Sequence, residues 1–217
     1  MSEVEIQLKA PFTSMVIGPT GSGKTHFVFK LLKSAKDICS VAPERIIYCY
    51  GAWQPLFEQY VDEMNFKDGL IDASDVPNDG KHTIMVIDDL MTELAKSKEA
   101  VDLFTKHSHH KNISCIFIVQ KMFGSTPEMR AVSANSHHMF VFKNPRDASS
   151  ITHLAKQMFP GNVRFLQEAY EDATKKPYTH LMLNMHQSTP ANARVIGNFL
   201  SDDPSIPPTC NIPKNKK

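Results

Sequence analysis

Short runs of apolar residues recur along the chain and are separated by polar stretches that contain glycine or proline. Runs rich in Val, Ile, Phe and Tyr are typical of β-strands, and runs without alternating polar residues are typical of strands buried on both faces. The pattern predicts strands at residues 14–17, 46–50, 82–89, 113–119, 139–142 and 178–184.

The stretches between these runs carry apolar residues at the i, i+3, i+4, i+7 spacing of an amphipathic helix. This spacing predicts helices at residues 28–35, 98–109, 151–158 and 166–173, the third with Asp147 as a candidate cap. Shorter helices are predicted at 57–64 and within 121–133, and 67–81 is predicted to be a loop. Strands that alternate with helices favour a three-layer α/β domain with a mostly parallel central sheet.

Length and composition indicate one large domain with a short extension at each end. The 217 residues, 41% hydrophobic and 22% charged, are ordinary for a globular protein. We divide the chain into a lead-in at 1–12, a domain at 13–190, and a proline-containing, basic tail at 191–217 that we expect to be solvated. The net charge of +1 provides no overall basic field for nucleic acid, and no apolar run is long enough to span a bilayer.

The first predicted strand and helix are joined by a sequence that fits the phosphate-binding loop G-x-x-x-x-G-K-[ST]. Its residues are Gly18, Pro19, Thr20, Gly21, Ser22, Gly23, Lys24 and Thr25. The glycines allow backbone angles that are closed to other residues, so that successive amides form an anion-binding nest at the helix N-terminus. We expect Lys24 to contact the β- and γ-phosphates and Thr25 to bind Mg²⁺. A glycine-rich turn without a ligand is the alternative interpretation.

Polar residues also end two of the buried strands. Asp88 and Asp89 close one of them, and Gln120 closes the next. The carboxyl ends of parallel strands share one edge of a sheet, which places these residues near the phosphate loop. Asp88 is then expected to hold Mg²⁺ and Asp89 to orient or deprotonate the attacking water, while Gln120 would sense the γ-phosphate. The alternatives are two acids that begin a loop and a glutamine bonded to backbone.

Two arginines follow later strands and are candidates for stabilising the transferred charge. Either Arg130 or Arg146 could act as an arginine finger, within its own chain or from a neighbouring subunit. An ordinary surface arginine is the alternative for each of them.

Several strings of the sequence resemble the genome-packaging ATPases of Polinton-like elements and adintoviruses, which belong to the FtsK–HerA group of P-loop motors. The strings are GPTGSGKT, PERIIYCYGAWQP, IMVIDDLM, LFTKHSHHKNISCIFIVQ, FKNPRDASSI, LAKQMFPG and EAYEDATKKP, and the resemblance covers about residues 12–190. It implies a P-loop domain of the RecA/ASCE type with ATP and Mg²⁺ as cofactors. The family's loop falls on residues 18–25, its acids on Asp88 and Asp89, its strand-end glutamine on Gln120, and its arginine finger on Arg130, with Arg146 as runner-up. The second acid is usually glutamate in the wider group, so Glu93 is an alternative to the shorter Asp89.

The resemblance further implies a homo-oligomeric ring that uses ATP to pump double-stranded DNA into a preformed capsid. Its partners would be DNA and capsid vertex or portal-type proteins, without a membrane. It would act inside the host cell at the site of virion assembly, and association with the virion is left open. Lys121 and the basic tail are candidates for contacting DNA. Two other classes stay open: a small-molecule or nucleotide kinase, although the sequence has no arginine-rich lid, and a nucleotide-binding scaffold without turnover.

Overall fold

The described part of the chain folds around one central β-sheet. The computed structural model describes residues 6–71, 75–96, 111–124, 126–203 and 205–213. Its strands are β1 Thr13–Ile17, β2 Arg45–Tyr50, β3 Asn65–Asp68, β4 Thr83–Asp88, β5 Ile113–Val119, β6 His138–Phe142, β7 His180–Asn184, β8 Val195–Gly197 and β9 Thr209–Cys210.

The strand order in the described sheet is β3-β2-β4-β5-β1-β6-β7-β8-β9. Neighbours from β3 to β6 pair in parallel, and β7, β8 and β9 extend the sheet by antiparallel pairing. The register pairs Asp88 with Ile118 and Ile17 with Val119, so the carboxyl ends of β4, β5 and β1 lie side by side. The residues that follow these three strands therefore meet at one edge of the sheet.

Helices cover both faces of the sheet. They are α1 Lys24–Lys33, α2 Ala35–Ile38, α3 Met91–Lys96, α4 Pro127–Ala134, α5 Ala148–Met158 and α6 Val163–Ala173, with 3-10 turns at Pro55–Tyr60 and Ala191–Ala193. None of the described helices is long and apolar enough to cross a membrane. Helix α5 begins where the sequence predicts a cap, since the Asp147 carboxylate accepts hydrogen bonds from the Ser150 backbone amide (3.3 Å) and hydroxyl (2.6 Å).

Two separate apolar cores lie on the two faces of the sheet. Alternate strand residues such as Val16 and Val86 pack against α1 and the first 3-10 turn, while Met15 and Ile87 pack against α5 and α6. Strands β4 and β5 are buried over their whole length, because helices cover them on both sides. The predicted three-layer α/β fold with a mostly parallel sheet is confirmed.

Ordered structure also extends beyond the predicted domain at both ends. Leu8 and Phe12 from the lead-in are buried in the core, and Leu8 forms a β-bridge with Cys39. Strands β8 and β9 lie in the segment expected to be a solvated tail, so 178–184 is not the last strand. These strands escaped prediction because they have only three and two residues, and β9 lies among prolines.

Two other expectations differ in detail, and one falls on residues that the structure does not describe. The predicted loop at 67–81 begins inside β3, a short edge strand of mostly exposed polar residues without an apolar run. The predicted helix at 57–64 is a 3-10 turn, Pro55–Tyr60. The helix predicted at 98–109 lies outside the described residues.

Candidate functional site

The segment between β1 and α1 forms a tight loop whose glycines are needed for its shape. A Cβ added at Gly18 would lie 2.8 Å from Phe142 Cβ and 2.7 Å from Ser22 Oγ, so the backbone approaches β6 more closely than a side chain allows. Gly21 and Gly23 have φ values of 78° and 95°, in the left-handed region that favours glycine. Helix α1 starts directly after Gly23 without a side-chain cap, which leaves its first amides available to an anion.

Lys24 lies in the first turn of α1, and its side chain folds back over the loop. Its Nζ donates hydrogen bonds to the backbone carbonyls of Gly18 (2.7 Å) and Pro19 (2.9 Å). Burial lowers the pKa of Lys24, and the nearby charges of Asp88 and Asp89 oppose this shift. The two carbonyl oxygens that accept hydrogen bonds from Lys24 carry only partial negative charge. A phosphate bound at the loop would place a full negative charge beside this half-buried ammonium.

Asp88 is the buried carboxylate of the site, at the end of β4. Its Oδ2 accepts a hydrogen bond of 2.8 Å from the hydroxyl of Tyr48 on β2, and its carboxylate also accepts one from the Thr25 side chain. Burial raises the pKa of Asp88, and the Tyr48 hydrogen bond is the largest effect that opposes this rise. The Asp88 carboxylate and Thr25 hydroxyl are hard oxygen donors of the kind that bind Mg²⁺.

Asp89 is exposed and has a left-handed backbone, with a φ of 57°. The turn that follows it is packed against the end of β2. The Gly51 amide donates to the Asp88 carbonyl at 3.0 Å, and a Cβ on Gly51 would lie 2.8 Å from the Asp89 carbonyl oxygen. Glycine at position 51 therefore allows the β4 end to hold Asp89 in a conformation that non-glycine residues seldom adopt.

One cavity of about 1160 Å³ brings the predicted residues together. Lys24, Thr25, Asp88, Asp89 and Gln120 all line it. Thr20, Gly21 and Gly23 line it as well. Of the remaining loop residues, Pro19 accepts the Lys24 hydrogen bond, and the Ser22 hydroxyl is buried without a hydrogen-bond partner among the described residues.

Comparison with solved structures identifies similar folds. The genome packaging NTPase B204 from Sulfolobus turreted icosahedral virus 2 in complex with AMP matches with a TM-score of 0.55 and 14% identity, over 82% of this chain and 94% of that chain. Its complex with ATP-gammaS matches with a TM-score of 0.53 and 15% identity, over 82% and 94%. The chain has a P-loop NTPase fold.

A third structure supports the same conclusion about the P-loop fold. B204, the DNA-packaging ATPase from Sulfolobus turreted icosahedral virus, matches with a TM-score of 0.50 and 14% identity, over 83% of this chain and 95% of that chain. By sequence, the chain matches no protein-family profile and no curated protein. At these identities the likeness concerns the fold.

Three predicted residues of the P-loop domain lie away from the cavity lining. Arg130 is exposed on α4, Arg146 is exposed in the loop after β6, and Glu93 is exposed on α3. None of the three is among the residues that line the described cavity. Of the two candidates for the second acid, Asp89 lines the cavity and Glu93 does not, and no arginine is among the described residues that line it.

Two tyrosines at the site were missed from the sequence. Tyr48 binds Asp88, and Tyr178 lines the cavity beside the phosphate loop. The cavity is also lined by Asn198, Phe199, Leu200, Ser201, Asp202 and Asp203, from the segment expected to be a solvated tail. The aromatic content of 46–50 could have drawn attention to Tyr48, but no local pattern marks Tyr178.

Proposed function

We propose that the protein binds ATP with Mg²⁺ in this cavity and hydrolyses it to move double-stranded DNA into a preformed capsid. The observation that carries the proposal is the convergence of Lys24, Thr25 and Asp88 on one phosphate loop inside a cavity large enough for a nucleotide. A phosphate loop, a lysine, a hydroxyl and a strand-end aspartate are the parts that P-loop NTPases use.

The residues present fit the two cofactors. The loop amides and Lys24 would hold the β- and γ-phosphates, and the Thr25 hydroxyl and Asp88 carboxylate would hold Mg²⁺ directly or through water. The bound ion would neutralise charge that develops on the phosphates. Solved structures of the similarly folded B204 are complexes with AMP, AMPPCP, ATP-gammaS and sulfate.

Hydrolysis would depend on the two polar side chains that are exposed at the carboxyl edge of the sheet. Asp89 faces the cavity at the end of β4 and would orient or deprotonate the attacking water. Gln120 follows β5, the strand between β4 and β1. Its side-chain amide would form hydrogen bonds with both the γ-phosphate and that water.

The DNA-moving part of the proposal rests on the fold and on the sequence strings. B204 is named as a DNA-packaging ATPase, and the strings resemble packaging ATPases of Polinton-like elements and adintoviruses. The protein would act in the host cell during virion assembly and bind a capsid vertex. Because a motor must slide along DNA, the contacts would be to phosphates without sequence readout, with Lys121 as one candidate.

The ring is proposed from the resemblance, and it agrees with the absence of an arginine among the described residues that line the cavity. Arg130, or Arg146 in second place, would reach the nucleotide of a neighbouring subunit and be worth roughly 10³-fold or more in turnover. Mixing Arg130→Ala with Asp89→Asn protein should restore activity that neither variant has alone, because one composite site becomes complete. A mixture as inactive as its components would contradict the shared site.

The proposed function is tested by measuring phosphate release from ATP with and without double-stranded DNA of mixed sequence. We expect DNA to stimulate the rate in the natural protein, and Lys24→Ala to abolish it while leaving the circular dichroism spectrum unchanged. Lys33→Ala, at the far end of α1, is the matched control and should retain the rate. Phosphate transfer to a small acceptor without DNA stimulation would favour a kinase, and ATP binding without release would favour a scaffold.

A further inference from the structure

The cavity has an apolar part to its lining as well as a charged one. Tyr178, Phe199, Leu200 and Ile206 line it together with Lys24, the strand-end carboxylates and charged residues such as Lys175 and Asp202. A nucleoside triphosphate has the same division, with a charged triphosphate at one end and a flat, largely apolar base at the other. The apolar side chains of the lining therefore provide the chemistry that a nucleobase requires.

Tyr178 borders the phosphate loop directly. A Cβ added at Gly23 would lie 3.2 Å from Tyr178 Cδ1 and 3.3 Å from Tyr178 Cβ, so the tyrosine packs over the residue directly before α1. Tyr178 is nevertheless 70% exposed, which leaves most of its ring uncovered at the cavity wall. An aromatic ring held in place but left open is suited to stacking against another flat group.

Backbone strain is concentrated around the same cavity. Five non-glycine residues of the described chain have a positive φ, and four of them line the cavity: Asp89 at 57°, Tyr178 at 63°, Asn198 at 58° and Leu200 at 50°. Such conformations are uncommon for these residues and cluster at ligand sites, where the surrounding structure holds them in place. This observation is independent of the exposure of the ring and points to the same region.

The wall that carries Asn198 and Leu200 is tied to the helix that follows the phosphate loop. Lys30 Nζ on α1 donates a hydrogen bond of 2.7 Å to the Ser201 carbonyl and forms an ion pair of 2.5 Å with Asp202 Oδ1. This wall is thereby connected to the element that presents the phosphate-binding amides.

We propose that Tyr178 is the residue on which the nucleobase stacks, with the segment 198–200 as part of the same base pocket. This inference rests on the proposed nucleotide-binding function, because the triphosphate must sit on the loop for the base to reach Tyr178. Stacking uses the ring face and needs no hydroxyl, so phenylalanine should replace tyrosine and a branched aliphatic residue should not.

The test compares the binding of ATP with that of inorganic tripolyphosphate, which lacks the base and ribose. Calorimetric titration with Mg²⁺ would be run on the natural protein and on Tyr178→Phe, Tyr178→Leu and the control Val61→Ala. Val61 is an exposed apolar side chain outside the cavity lining. Tyr178→Leu should raise the Kd of ATP about ten-fold and leave the Kd of tripolyphosphate unchanged, and Tyr178→Phe and Val61→Ala should change neither.

Comparing ATP with tripolyphosphate distinguishes a loss of base stacking from a loss of phosphate binding. An equal loss of ATP and tripolyphosphate affinity in Tyr178→Leu would mean that Tyr178 supports the phosphate loop at Gly23, and it would overturn base stacking. An unchanged ATP affinity would overturn it as well. As a second measurement, the natural protein should bind ATP about ten-fold more tightly than tripolyphosphate, and equal affinities would contradict a base pocket. If the natural protein binds neither ligand, the proposed function itself fails.

Discussion

The hydrogen bond from Tyr48 to Asp88 gives the most specific prediction about this site. The Tyr48 ring is fully buried among Phe29, Phe57 and Phe66, with ring centroids 5.1 to 5.3 Å away, so Tyr48→Phe keeps the packing and removes only the hydroxyl. What is lost is a buried 2.8 Å bond to a carboxylate, the kind of hydrogen bond worth about 1.5–3 kcal/mol.

The expected effect is a loss of about 1.5–3 kcal/mol in the free energy of unfolding at pH 7. At about 2–4 °C per kcal/mol for a protein of this size, Tm should fall by about 3–12 °C. Thermal and urea unfolding followed by circular dichroism would measure it. Tyr60→Phe is the matched control, because its ring stacks on Phe29 in the same cluster at 4.2 Å and it is not bonded to Asp88.

The pH dependence of this effect has a defined sign. The pKa of Asp88 is raised in the folded protein, and removing the Tyr48 hydroxyl should raise it further, since that hydroxyl stabilises the ionised form. The destabilisation should therefore be largest above the folded-state pKa and shrink as pH falls through it, where a neutral acid remains. Equal stability losses in Tyr48→Phe and Tyr60→Phe at pH 7, or a loss that does not shrink towards acid pH, would refute the reasoning.

Two further predictions concern the strand-end acids and a buried histidine. Asp89→Asn should keep MgATP binding but lose hydrolysis, whereas Asp88→Asn should also weaken the Mg²⁺ dependence of ATP binding; normal turnover in Asp89→Asn would move the base to another residue. The pKa of His180 is lowered to about 3, mainly by burial, and its Nε2 has no hydrogen-bond partner among the described residues. The unfolded chain therefore takes up a proton at this histidine before the folded protein does, and the natural protein should lose free energy of unfolding as pH falls from 6.5 to 3. His180→Phe lacks this group and should lose less over the same range; parallel curves of stability against pH would contradict this.

The sequence predicted the parts of the site that are local in the chain. The phosphate loop is one continuous segment between β1 and α1, and Asp88, Asp89 and Gln120 each end a long apolar run. Their meeting in one cavity then follows from the parallel sheet, because carboxyl ends of parallel strands share an edge. The fold class could be predicted for the same reason, since both kinds of periodicity are strong in the central strands and their helices.

The parts of the site and fold that the sequence did not predict depend on contacts between distant segments. Tyr48 reaches Asp88 because β2 and β4 pair with Tyr50 opposite Asp88, and a one-residue slip would turn Tyr48 to the other face. Tyr178 and the segment 198–203 arrive at the phosphate loop through the antiparallel strands β7, β8 and β9, two of which are too short to show a pattern. The polar edge strand β3 likewise lacks the apolar run that identifies a buried strand.

We propose that ATP hydrolysis at this loop moves the protein along double-stranded DNA. Such movement is measured by the ATP-dependent displacement of a labelled third-strand oligonucleotide from a DNA triplex. The natural protein should displace the third strand with MgATP and not with a non-hydrolysable analogue, and Lys24→Ala should not displace it. Hydrolysis of ATP by a DNA-bound protein that never displaces the third strand would contradict the proposal.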